Sequence, residues 1–188
     1  MLVQLLPLSG IGLSLFGLAT TALVAWKHGF DRQVGPARAF NDYIPVYLVS
    51  VGAMCLLYSF YLLQSYTTLT EFARMRKEYK KTDKKTDKRP SYVGIKYGTE
   101  SKAVVAANRA AGNTLEQMLP FLVSLYGYAT FVDAGGAARI GWAWIAFRSY
   151  YVIVFKRGFL VLSCTYPAYM CIWYMMAMSL KQIYFYME

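Results

Sequence analysis

Residues 108–120 read NRAAGNTLEQMLP, and within them Arg109, Asn113, Glu116 and Pro120 stand at i, i+4, i+7 and i+11. At about 100° per residue these positions share a helical sector of about 60°, so they form one polar face. The chain around them is apolar, which decides what such a face can do. An ionised Arg or Glu within a bilayer is costly unless it is paired or faces water, so residues of this kind are expected to turn toward a bundle interior. A further cation, Arg148, lies in a later apolar stretch and shares a face with Trp144, Tyr151 and Phe155. Two guanidiniums near one carboxylate suit a small anionic or zwitterionic ligand. They equally suit an internal network in which Glu116 neutralises the arginines. Other chemistry is poorly provided for. His28 is the single histidine, so neither a histidine metal cluster nor a histidine dyad is expected. Cys55, Cys164 and Cys171 lie in hydrophobic runs, where a thiol behaves as a small apolar side chain. No residue type marks a catalytic group by itself.

The elements that must position these residues are apolar helices. The chain has 188 residues, 57% hydrophobic and 16% charged, with mean hydropathy +0.31, whereas soluble domains carry about 25% charged residues. Residues 2–26, 43–70 and 158–180 hold no charge at all, and roughly 20 apolar residues cross a bilayer as a helix. The pattern predicts five helices over about 2–26, 43–66, 103–130, 137–155 and 159–184, hence an all-α, polytopic membrane bundle. The third is the least hydrophobic and contains Pro120, which predicts a kink supported by neighbours. The first is too long for a signal peptide and is read as retained. Along it Gly10, Ser14, Gly17 and Thr21 form a small-residue stripe of the kind that lets helices approach closely, unless it is chance in a glycine-rich stretch. A nucleotide-binding sheet, a disordered chain and a disulfide-stapled domain are excluded.

Thirteen loop lysines and arginines fall on one side of this arrangement and five on the other. The positive-inside rule places the N-terminus and the long second loop on the cytoplasmic or matrix side. Residues 80–88 of that loop read KKTDKKTDK, a solvated linker or a contact for anionic lipid headgroups or an acidic protein surface. Nucleic acid is not an expected partner, because no binding fold or interleaved aromatics accompany the charge. At about 1.5 Å per residue, Arg109 lies roughly 9 Å in from the basic side, Glu116 roughly 20 Å and Arg148 roughly 12 Å. Both arginines are therefore expected to approach the carboxylate in a pocket open to that side.

Arg109, Ala110, Asn113, Glu116 and Pro120 together resemble the R-A-x-x-N-x-x-E-x-x-x-P signature of the MAPEG proteins, membrane-associated proteins in eicosanoid and glutathione metabolism. FARMRKEY at 72–79 resembles the basic end of that family's first helix, and WAWIAFRSYY at 142–151 is similar to its third. The resemblance covers residues 43–188. It implies a four-helix core with a basic loop at 71–102, preceded at 1–42 by an extra transmembrane helix and loop. It also implies a homotrimer that binds glutathione between subunits near the cytoplasmic face. Carried over by position, Arg109, Asn113 and Glu116 would hold the glutathione backbone, Arg148 and Tyr151 would line the same site, and Arg74 or Arg76 would match the first-helix arginine. The chain departs from the pattern at Phe155, where many family enzymes carry tyrosine. It departs again at 159–165 (FLVLSCT), which lacks their thiolate-stabilising arginine. Two functions follow from the resemblance. One is a glutathione-dependent transferase or peroxidase acting on lipophilic electrophiles. The other is a non-catalytic subunit of a larger respiratory or photosynthetic membrane complex. The corresponding location is an organellar membrane, the mitochondrial inner membrane or the endoplasmic reticulum.

Overall fold

The computed structural model describes residues 35–81, 89–154 and 161–188. The first predicted helix with its small-residue stripe, most of the KKTDKKTDK tandem, and Phe155 lie outside the described residues. Within them the chain is wholly helical in its regular structure. A 3-10 turn, Phe40–Tyr43, leads into α1 (Ile44–Lys81). A short α2 (Tyr92–Tyr97), α3 (Lys102–Phe131), α4 (Ala134–Val154) and α5 (Leu162–Met187) follow. The central pair is α3 and α4, with α1 and α5 each packed against both.

Helix α1 runs much further than expected. Its 38 residues span about 57 Å, almost twice a hydrocarbon core of about 30 Å. The stretch 71–81, expected to begin the basic loop, is its continuation. The cause is local: the stretch holds no Gly or Pro, and Arg74 pairs with Glu71 one turn before it (2.6 Å) and Glu78 one turn after (3.0 Å). Charges at i,i+3 and i,i+4 spacing support a helix. Helix α2 then folds back beside it, started by Ser91, whose hydroxyl accepts from Gly94 N at 3.0 Å. Its Ile95 is buried, and Tyr92 meets Phe72 of α1 edge to face.

At the opposite end, α3 turns into α4 through Val132 and Asp133. The Asp133 carboxylate accepts from the backbone N–H of Gly136 (2.9 Å), Gly135 (3.1 Å) and Gly35 (3.2 Å). It caps the helix start and ties in the chain that precedes α1. Gly35 has φ +121, a conformation that favours glycine, and its carbonyl accepts from Ala134 N at 3.1 Å.

Helix α4 sits close to its neighbours because it presents little side chain to them. A Cβ on Gly141 would stand 2.5 Å from Val49 Cγ1 of α1 and 3.0 Å from Leu125 Cδ1 of α3. Below this contact Phe121 of α3 stacks on Trp144 of α4, with ring centroids 4.0 Å apart and planes 12° from parallel. Stacked buried aromatics contribute about 0.5–1.5 kcal/mol beyond their area.

Among the described residues, one helix, Phe40–Lys81, is long and apolar enough to cross a membrane by length and composition alone. The other long helices fall short of that measure for reasons visible in their residues. Helix α3 carries Asn108, Arg109, Asn113, Glu116 and Gln117 in its first half, and α5 is rich in Tyr and Trp, whose polar tips lower a hydropathy average although such residues favour membrane interfaces.

Gly141→Ala is expected to destabilise the protein by about 1–3 kcal/mol, because Val49 is β-branched and cannot swing away. Thermal unfolding in detergent checks it against Gly127→Ala, whose Cβ would meet only Ser179 at 3.6 Å and should change little.

Candidate functional site

The polar sector of α3 exists, but it faces the other way from what the sequence suggests. Arg109 and Glu116 are exposed on the outside of the single chain, with Asn113 half-buried between them. Leu115, Leu119 and Val123 flank them, each at least half exposed. The reason is the opposite side of α3. Ala107, Ala110, Ala111, Thr114, Met118 and Phe121 are buried against the bundle, and their mean direction lies about 140° from the sector at 100° per residue. Alanines at successive turns admit the neighbouring helices closely, so the bundle claims that face and the charged one is left outside. Among the described residues neither arginine ion-pairs with Glu116. The expected convergence of both arginines on the carboxylate therefore does not occur within one chain, and neither does the internal neutralising network.

Arg148 does turn inward. It is completely buried, and its guanidinium lies over the Tyr151 ring (5.2 Å to the centroid) and the Trp144 ring (6.0 Å). These cation–π contacts offset part of the desolvation of the charge. They supply no acceptor for its N–H groups: Nε, Nη1 and Nη2 have no hydrogen-bond partner among the described residues. A guanidinium that desolvated is strained electrostatically unless an anion meets it.

Inside and outside are joined by one hydrogen bond. Asn113 Nδ2 donates to the Tyr151 hydroxyl at 2.7 Å, so the half-buried member of the outer sector holds the ring on which Arg148 lies. The Asn113–Tyr151 bond and the Phe121–Trp144 stack together fix the antiparallel register of α3 and α4. That register sets Gln117 at the level of Arg148. Gln117 Oε1, Thr114 Oγ1, Trp144 Nε1 and Thr165 Oγ1 are also buried without a hydrogen-bond partner among the described residues. Buried polar atoms are nearly always satisfied, and this group lies on the facing sides of α3, α4 and α5. Thr114 and Gln117 stand outside the R-A-x-x-N-x-x-E pattern, and their signal in the sequence is an i,i+3 polar pair within an otherwise apolar face.

On the basic side the site is bounded by a second polar link. Gln64 Nε2 of α1 donates to Asn108 Oδ1 (2.8 Å), and Asn108 Nδ2 donates to the Lys96 carbonyl of α2 (2.6 Å). Three elements are thereby held together one residue before Arg109. Arg74 engages Glu71 and Glu78, and Arg76 is exposed on the same helix. Of the five residues singled out by sequence, the structure brings Arg148, Tyr151 and Asn113 into one connected group. It sets Arg109 and Glu116 on the adjoining outer surface.

Arg148→Met is expected to raise the unfolding temperature of the ligand-free protein, because an apolar chain of similar length replaces an unpaired buried charge, a change worth about 1–4 kcal/mol in comparable cases. Differential scanning fluorimetry in detergent measures it, and a lowered temperature would show that the guanidinium is already satisfied.

Comparison with protein families matches the model of the MAPEG family to residues 47–181. The matched region begins in the first turns of α1, ends near the close of α5, and contains all five residues of the site. No curated protein matches the chain, and no solved structure does.

Proposed function

Because the chain belongs to the MAPEG family, a family of membrane proteins related to glutathione metabolism, we propose that the site built on Arg148, Tyr151, Asn113, Arg109 and Glu116 binds glutathione. The observation that carries the reading is the buried guanidinium of Arg148 with no hydrogen-bond partner among the described residues. Glutathione fits this donor set chemically, since it carries two carboxylates and one ammonium. Arg148 and Arg109 provide planar forks of N–H donors for carboxylates. Glu116 provides the complementary charge for an ammonium, and Asn113 supplies both a donor and an acceptor. When bound, glutathione contributes a thiol, the nucleophile that a transferase or peroxidase of lipophilic electrophiles requires.

The outward position of Arg109 and Glu116 supports a site completed by further copies of the chain. Left against lipid, these ionised groups would cost several kcal/mol. A homotrimer, in which the outer face of α3 meets a neighbouring subunit, removes that cost and encloses the ligand between subunits. The excess of loop lysines and arginines beside the start of α3 supports placing the site's mouth on the cytoplasmic or matrix side.

A second reading rests on a different observation. Residues 159–165 contain no arginine and position 155 is phenylalanine, so two donors that stabilise a thiolate in many family enzymes are missing. A positioned donor of this kind is worth about 2.7–4 kcal/mol. On this reading the chain keeps the binding site without the activation step and serves as a subunit of a larger membrane assembly.

Isothermal titration of glutathione into the purified, folded protein tests the first proposal. Saturable binding is expected, weakened at least tenfold by Arg109→Ala and by Glu116→Gln, with each tenfold loss corresponding to about 1.4 kcal/mol. Binding without turnover of 1-chloro-2,4-dinitrobenzene or an organic hydroperoxide would favour the non-catalytic reading, and absence of binding would refute the glutathione site.

A further inference from the structure

Beyond the charge-free run of α1, Phe72, Ala73, Arg76, Lys77 and Lys80 line an open groove of about 440 Å³. Arg76, Lys77 and Lys80 are exposed, and none of them has an ion-pair partner among the described residues. No carboxylate among the described residues lines the groove. The cause lies on the other side of the helix. Glu71 and Glu78 are both taken up by Arg74, and at 100° per residue the mean direction of that trio lies about 150° from that of the three groove cations. The outer part of α1 is therefore segregated, with its carboxylates on one face and uncompensated cations on the opposite one. The floor between the cations is apolar. Phe72 is half-buried, and its ring is fixed by the edge-to-face contact with Tyr92 of α2, centroids 6.3 Å apart.

The height of the groove relative to a bilayer selects its occupant. Helices α1 and α4 run parallel, since Gly141 meets Val49 and Ile145 meets Gly52. Arg139, two residues before Gly141, is exposed and pairs with Asp133 at 3.6 Å, so this charged pair marks one edge of the hydrocarbon near the level of Tyr47. A core of about 30 Å takes about 20 residues of helix, which puts the other edge near Thr67. Phe72 then stands about 8 Å and Arg76 about 14 Å beyond that edge, at the outer boundary of a headgroup layer about 5–8 Å deep. The side chains close the remaining gap. Helix α1 leaves the bilayer in its N-to-C direction, and Cα–Cβ bonds tilt toward a helix N-terminus, so the three cations lean back toward the lipid phosphates.

We propose that this groove binds the phosphate of an anionic phospholipid from the membrane that α1 crosses. Arg76 presents a fork of N–H donors to the phosphate oxygens, Lys77 and Lys80 add point charges, and Phe72 and Ala73 lie on the membrane side against the glycerol and the first acyl carbons. A free phosphate or an acidic protein would use the cations but has no use for an apolar floor at the bilayer surface. The site is separate from the glutathione reading, because Arg74, the match to the family's first-helix arginine, belongs to the opposite face.

Native mass spectrometry of the full-length protein, incubated in detergent with equal amounts of phosphatidylglycerol and phosphatidylcholine, tests the proposal. Phosphatidylglycerol is expected to be retained in preference. Each groove cation removed should lower that preference about fivefold, so Arg76→Gln loses about fivefold and Arg76→Gln with Lys80→Gln about 25-fold. Arg76→Lys keeps the charge and should stay within about twofold of the wild type. Lys102→Gln, an exposed cation at the same end of the bundle but outside the groove, should leave the preference unchanged, and unchanged thermal unfolding of each variant confirms an intact fold. Equal retention of the two lipids by the wild type would overturn the proposal. An equal loss from Lys102→Gln would overturn it in favour of diffuse surface attraction. Displacement of the lipid by excess inorganic phosphate would overturn it in favour of a free anion, and displacement by a polyglutamate peptide in favour of an acidic protein.

Discussion

A guanidinium buried against aromatic rings, without an acceptor among the described residues, sets the terms for the rest of this molecule. Removing an ion from water is costly, and a cation–π contact recovers only about 2 kcal/mol even when desolvated. The Arg148 site is therefore tolerable only in a bundle that is well packed elsewhere and has something to gain from the charge. The packing is visible. Gly141 lets α1 and α3 close onto α4, Phe121 stacks on Trp144, and Asp133 closes the far end with three backbone N–H groups. These contacts hold the α3–α4 register, and the register is what places Tyr151 beneath the guanidinium and Asn113 against Tyr151.

The outer surface of α3 presents the same problem in another form. Arg109 and Glu116 stand on a face that the single chain does not cover, between leucines and a valine that suit lipid or protein equally well. Pro120, on the same face, has no N–H to donate to the Glu116 carbonyl four residues back. Two charged side chains and an under-bonded carbonyl thus occur within three turns of one helix. No acyl chain satisfies any of them. The proposed ligand, held between copies of the chain, would meet these groups, so the proposed assembly and the proposed ligand belong to one argument.

Much of this was legible in the residues. The 3.6 period showed that Arg109, Asn113, Glu116 and Pro120 share a face, and the charge-free runs at 43–70 and 158–180 announced helices. Direction was not legible, because periodicity defines faces without saying which neighbour each meets. Only the set of Ala107, Ala110, Ala111 and Thr114 shows which face the bundle takes, and small residues carry little hydrophobic signal. The length of α1 was missed for a related reason. Arginines and lysines at 74–81 read as the start of a loop when counted, yet Glu71, Arg74 and Glu78 are spaced to pair along a helix. The family resemblance named the candidate residues because it rests on their spacing, and the family match over 47–181 covers the helices that carry them.

Binding and activation are separable demands, and this chain distributes them unevenly. Recognition of a zwitterionic peptide needs charges of both signs at fixed separation, and on the glutathione proposal Arg109, Glu116 and Arg148 would supply them. Activation of a thiol needs a donor aimed at the sulfur, and residues 159–165 offer only the hydroxyls of Ser163 and Thr165 where an arginine would be required. A neutral hydroxyl stabilises an anion by roughly half as much as a charged donor, so a thiolate here would form less readily than beside a guanidinium. Arg148 cannot serve both purposes at once. If it holds a carboxylate its charge is spent there, and if it faces the sulfur the ligand loses its most deeply buried anchor. On the glutathione proposal the described residues therefore favour holding the ligand over activating its thiol.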